Sequence, residues 1–156
     1  MACAILCFAK STSETKPPSI VGAWRTKVQF VDGPYTAVKD LKFLIVFNAG
    51  GTLTESSNYD EAPPVPPACG IWRKAGRSEF ELRFEYFNSK VPKKTEDITG
   101  GGGWMPSGWG VLKEKVKLSP DGNSYTSTIV FVLRDDTGKV VPGGGKAIAK
   151  GERMQF

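Results

Sequence analysis

The amino-acid sequence predicts an all-β domain of about eight antiparallel strands, closed as an up-and-down barrel or stacked as a sandwich. Three observations lead there. Apolar and polar residues alternate in short runs along most of the chain. The 18 Gly and 11 Pro fall largely between those runs, where they serve as turns. No stretch carries the apolar spacing of an amphipathic helix. A chain of 156 residues suits one domain with a sizeable core.

Taken in order, residues 1–18 read as a flexible N-terminal segment or the remnant of a signal peptide, and residues 19–156 as the barrel domain. The apolar run from Ala2 to Ala9 is too short to cross a membrane, so no integral membrane span is expected. A signal remnant would imply a secreted or periplasmic protein. The first strand, from Ser19 to Asp32, places Trp24, Thr26, Val28 and Phe30 on one face and Arg25, Lys27 and Gln29 on the other. Asp32-Gly33-Pro34 turns the chain. Leu41 to Asn48 follows, with Leu41, Phe43, Ile45 and Phe47 together. Leu44 and Val46 make its other face apolar as well, which predicts an outer cover. Asn48 to Gly51 is a hairpin turn, and Thr52 to Tyr59 the next strand.

Pro63, Pro64, Pro66 and Pro67 keep the following stretch out of any ladder, because proline has no N–H to donate. It reads as a stiff loop across one end. Cys69 to Lys74 then repeats the Gly-x-Trp-Arg of the first strand. Glu79 to Phe87 alternates Phe80, Leu82, Phe84 and Tyr86 with charged residues, as one wet and one dry face require. Asn88 to Gly108 reads as a long irregular loop, either a mobile insertion or a lid with Trp104 and Met105 folded over an open end. Its glycines are not a phosphate loop, since no Gly-Lys-Ser/Thr follows. Trp109 to Leu118 places Leu112, Glu114, Val116 and Leu118 on one face. Ser124 to Arg134 does the same with Tyr125, Ser127, Ile129, Phe131 and Leu133. The last strand runs to the C-terminus with a bend near Pro142 to Gly145.

Composition removes whole classes of chemistry. The chain contains no histidine, which excludes Ser-His-Asp and Cys-His nucleophile systems, histidine-ligated haem and the usual zinc sites. Three cysteines, Cys3, Cys7 and Cys69, are too few for a four-thiolate metal site, and a disulfide from Cys3 or Cys7 to Cys69 is open. No metal and no cofactor are expected. The net charge of +5 comes from basic residues scattered along strands, with Lys113, Lys115 and Lys117 on one face. That distribution describes a solvated outer wall and predicts no nucleic-acid partner.

Gly22-Ala23-Trp24 at the start of the first strand, with Arg153 near the end of the last, resembles the lipocalin-like (calycin) β-barrels, and the chain looks like their small bacterial lipocalin-like domains. Phe47 to Leu53 (Phe-x-x-x-Gly-Thr-Leu) and the second Gly-x-Trp at Gly70 add to the likeness. The resemblance implies an eight-stranded antiparallel up-and-down barrel. It also implies that Trp24 closes the floor while Arg153 stacks on its outer edge and hydrogen-bonds nearby backbone. The long Gly-rich loop departs from secreted lipocalins.

Within such a barrel the inward residues Phe30, Phe43, Phe47, Trp72, Phe84, Tyr86 and Phe131 either fill a core or line a cavity for a small apolar ligand. Thr26, Glu55 and Glu114 are the polar residues on inward faces. Glu114, between Leu112 and Val116, is the candidate catalytic residue, since a buried carboxyl with a raised pKa can act as a general acid. A bulge that turns it outward, or an ion pair with Arg73 or Arg153, would give it a structural role instead. The expected function is binding of a small hydrophobic or amphipathic molecule. The alternative is a barrel cyclase or isomerase resembling allene oxide cyclase, which shapes a reactive substrate with few polar groups.

Overall fold

The computed structural model describes residues 18–60, 66–94 and 105–156. Eight antiparallel strands close into a barrel in simple sequence order. They are β1 (Gly22–Asp32), β2 (Lys42–Phe47), β3 (Thr52–Ser57), β4 (Ala68–Lys74), β5 (Glu79–Lys90), β6 (Met105–Leu118), β7 (Ser124–Arg134) and β8 (Val140–Arg153). The ring shuts where β1 pairs with β8, from Trp24 opposite Arg153 to Phe30 opposite Ala147. Closure removes both sheet edges, so no row of unpaired backbone groups is left to recruit another chain. This is the up-and-down barrel of the calycin-like pattern, and the stacked alternative is ruled out by the β1–β8 ladder.

Period-two patterning sets the inside. Trp24, Thr26 and Val28 of β1 are buried, as are Phe43, Ile45 and Phe47 of β2 and Phe80, Leu82 and Phe84 of β5. The lysines at 113, 115 and 117 point outward from β6. Small residues on the inner face of β8 make room for large ones across the ladder. Tyr125 lies opposite Gly151, where a Cβ would meet the tyrosine ring at 2.1 Å. Gly110 does the same for Tyr86 across β5 and β6.

Several boundaries differ from the sequence reading. β5 continues to Lys90 and β6 starts at Met105, because the ladder resumes beyond a register shift between Phe87 and Ser89 and pairs Ser89 with Pro106. The irregular stretch is thus shorter than Asn88 to Gly108. Met105 is a strand residue opposite Lys90; Trp104, the other half of the expected lid, lies outside the described residues, as do Pro63 and Pro64. β3 stops at Ser57, whose N–H is taken by the Asp60 carboxylate at 2.6 Å. The bend expected near Pro142 to Gly145 is a register shift of β7 against β8, between Phe131 and Leu133. Leu44 and Val46 are 53% and 42% exposed and have no outer cover among the described residues; the N-terminal segment expected to cover them lies outside those residues. Cys69 is a free, exposed thiol; Cys3 and Cys7 lie outside the described residues. Among the described residues no helix is long and apolar enough to cross a membrane.

Candidate functional site

The two ends of the barrel differ, and the register says which is which. Gly22 pairs with Phe47, so the β2–β3 turn lies at the end where β1 begins. The β4–β5 and β6–β7 turns and the C-terminus of β8 share that end. It is the closed one. Trp24 is fully buried there, with its indole N–H donated to the Ile20 carbonyl at 2.8 Å. The Arg153 guanidinium sits 4.4 Å from the centre of the Trp24 rings. Its nitrogens donate to the carbonyls of Gly122 at 2.8 Å, Val21 at 2.7 Å and Ser19 at 2.5 Å. A planar fork with several donors can tie three chain segments together in this way; a lysine ammonium on the same stem cannot.

Trp72 occupies the closed end too. It is half-buried, packs against Phe47 and Phe80, and donates its indole N–H towards the carbonyls of Asn48 and Thr52 at 3.0 and 3.1 Å. The second Gly-x-Trp thus plugs the floor beside the β2–β3 turn. Phe47 and Phe84 are fully packed, Phe84 edge-on to Phe43 at 6.4 Å.

The open end holds a cavity of about 310 Å³, at the lower limit of volumes usual for small-molecule sites. Four of the seven aromatic residues singled out by the sequence line it: Phe30, Phe43, Tyr86 and Phe131. Phe47, Trp72 and Phe84 do not. Tyr86 and Phe131 lie nearly parallel, 6.2 Å apart. Tyr35, from the β1–β2 connection, folds against Phe30 and Phe131 at 5.3 and 6.0 Å. Val38, Leu41 and Leu112 add to the wall, as do Tyr59 and Asp60 from the β3–β4 connection, with Ser57 and Asn88 among its polar members.

One carboxyl group faces this cavity from a strand. Glu55, on β3, is 6% exposed and lines the space, and its Oε1 has no hydrogen-bond partner. Burial pushes its pKa up to about 8, helped by the nearby negative charges of Asp60 and Glu114. At neutral pH it is a neutral acid, able to donate a hydrogen bond or a proton into an apolar space.

Glu114 is one inward position further from the mouth than Leu112 and does not line the cavity. It is 2% exposed and both its carboxyl oxygens lack partners. Burial raises its pKa to about 7, partly offset by the Ser127 hydroxyl beside it. No bulge turns it outward. Arg73 is engaged by Glu81, and Arg153 by the backbone carbonyls around Trp24. Below it Thr26 and Tyr125 share a 2.6 Å hydrogen bond between their hydroxyls, and desolvation pushes the Tyr125 phenol well above its ordinary range. The barrel therefore carries a polar seam from Glu55 through Glu114 and Ser127 to Tyr125 and Thr26, under an apolar cup.

The sequence missed Tyr35, Tyr59 and Asp60 as cavity residues, because they sit in connections. A signal existed: in an up-and-down barrel the β1–β2 and β3–β4 connections share one end, and both carry aromatic residues next to the strand. Among the described residues no cluster of three or more His, Cys, Asp or Glu is placed to hold a metal ion. Comparison of the chain with protein-family models, with curated proteins and with solved structures finds no match.

Proposed function

We propose that the protein is a lipocalin-like binding module that takes a small hydrophobic or amphipathic molecule into the open end of its barrel. The observation that carries this reading is the apolar cavity of about 310 Å³ with a single strand-borne carboxyl group in its wall, one oxygen of which is buried without a partner. An apolar cup with few polar groups is the usual form of a small-molecule site. The rings supply burial, and Glu55 orients whatever polar end the ligand carries. Native mass spectrometry on protein purified without detergent tests the proposal. A co-purified or added small apolar molecule retained by the wild type and lost on Phe131→Arg, which places a charge in the wall, is the expected result. An empty protein indifferent to every added apolar probe would refute it.

A cyclase or isomerase is the second reading, and Glu55 is what favours it: a neutral carboxylic acid inside an apolar cup can protonate a reactive epoxide or polyene. Glu114 lies behind the wall and would act on such a substrate only through Glu55. Turnover of a supplied epoxide, abolished by Glu55→Gln, distinguishes this reading from simple binding.

A further inference from the structure

We propose that the cavity selects small organic cations, an ammonium group on an apolar body, with Glu55 as the counter-charge. The inference rests on the ligand-binding reading and adds the class of ligand. Its first support is the sign of the lining. The chain as a whole is basic, with 21 Lys and Arg against 16 Asp and Glu. The described residues that line the cavity reverse this balance: Glu55 and Asp60 are present, and no Lys or Arg. The basic residues of the same end, Lys39, Lys42, Lys90, Lys93, Lys94, Arg134 and Lys139, are all outside the lining.

The second support is the rings. Phe30, Phe43, Phe131, Tyr35, Tyr59 and Tyr86 all contribute to the wall. Aromatic faces carry partial negative charge and attract cations, most strongly where water is excluded. The third is the free acceptor. Asp60 is already engaged, accepting the Ser57 N–H, whereas Glu55 Oε1 is buried without a partner. A ligand carboxylate would meet Asp60 and six electron-rich rings, with no Lys or Arg in the lining to offset them.

The groups that face Glu55 are all acids or phenols. Asp60 reaches it from the β3–β4 connection, Glu114 from β6, Tyr86 from β5 and Tyr125 from β7. No described cation opposes it, so its carboxyl holds a proton until a positive ligand arrives. Binding a cation at neutral pH therefore displaces that proton to solvent, and the charge of the site is conserved.

The test uses three probes with one apolar body: phenethylammonium, 2-phenylethanol and 3-phenylpropionate. Isothermal titration at pH 7, in two buffers of different ionisation enthalpy, gives affinity and protons released together. The expected result is that the ammonium binds at least about tenfold tighter than the alcohol, releases about one proton, and that 3-phenylpropionate binds weakest. Glu55→Gln, which keeps the shape, is expected to abolish proton release and bring the ammonium and the alcohol within about threefold. Asp60→Asn is a second variant, expected to weaken the ammonium alone. Equal binding of all three probes, preference for the carboxylate, or an unchanged ratio in Glu55→Gln would overturn the cation assignment while leaving the binding module standing. If none of the three binds, the cation assignment falls, and the binding module is decided by the retention experiment with other apolar molecules.

Discussion

The interior acids make a sharp prediction about stability and pH. Burial raises the pKa of Glu55 to about 8 and of Glu114 to about 7, from an ordinary 4.5. A carboxyl whose pKa rises on folding favours the protein in its protonated form. Its contribution is fully present below pH 4.5 and is lost as pH climbs through the folded value. Between pH 5 and pH 9 the unfolded chain holds fewer protons than the native one, so stability must fall. The displacement at Glu114 corresponds to about 3 kcal/mol and that at Glu55 to about 5 kcal/mol, the second reduced by water entering the mouth. Either is a large part of the 5–15 kcal/mol typical of a domain. The chain has no histidine, the side chain that would ordinarily titrate in this window. Urea titrations at pH 5, 7 and 9 on the wild type and Glu114→Met read the effect directly. Methionine fills the same unbranched volume without a charge. The wild type is expected to lose several kcal/mol from pH 5 to 9, and Glu114→Met to lose about 3 kcal/mol less, becoming the more stable protein at pH 9. A wild-type stability that is flat or rising over this range, or a slope that Glu114→Met leaves untouched, would refute the placement of these carboxyls in the core.

Two further outcomes test the packing. Arg153→Lys keeps the positive charge but cannot reach three carbonyls while lying flat on Trp24; a loss of about 2 kcal/mol in urea is expected, and a neutral result would remove the guanidinium from the closure. Gly151→Ala sets a methyl group against the Tyr125 ring and is expected to cost about 1–3 kcal/mol, visible as a lowered thermal midpoint and an altered near-ultraviolet tyrosine signal.

Alternation along the chain was enough to assign each strand its inner face, because successive side chains on a pleated strand point to opposite sides. Phe80, Leu82 and Phe84 could be read as core from that rule alone, as could the inward position of Glu114. The lack of histidine likewise settled which chemistries were open before any fold was known. Alternation carries no information about height along the barrel. Phe43 and Phe47 lie on the same face of the same strand, four residues apart, yet the first lines the cavity and the second is packed into the floor. Which is which depends on the register of β1 against β2 and on the closure of β1 with β8, contacts made by residues far apart in sequence. The same holds for the acids: Glu114 stood out as an interruption in an apolar face, but Glu55 on a more polar strand is the one that reaches the cavity. Only pairing across strands gives each inward side chain its layer, and the layer decides between filling space and enclosing it.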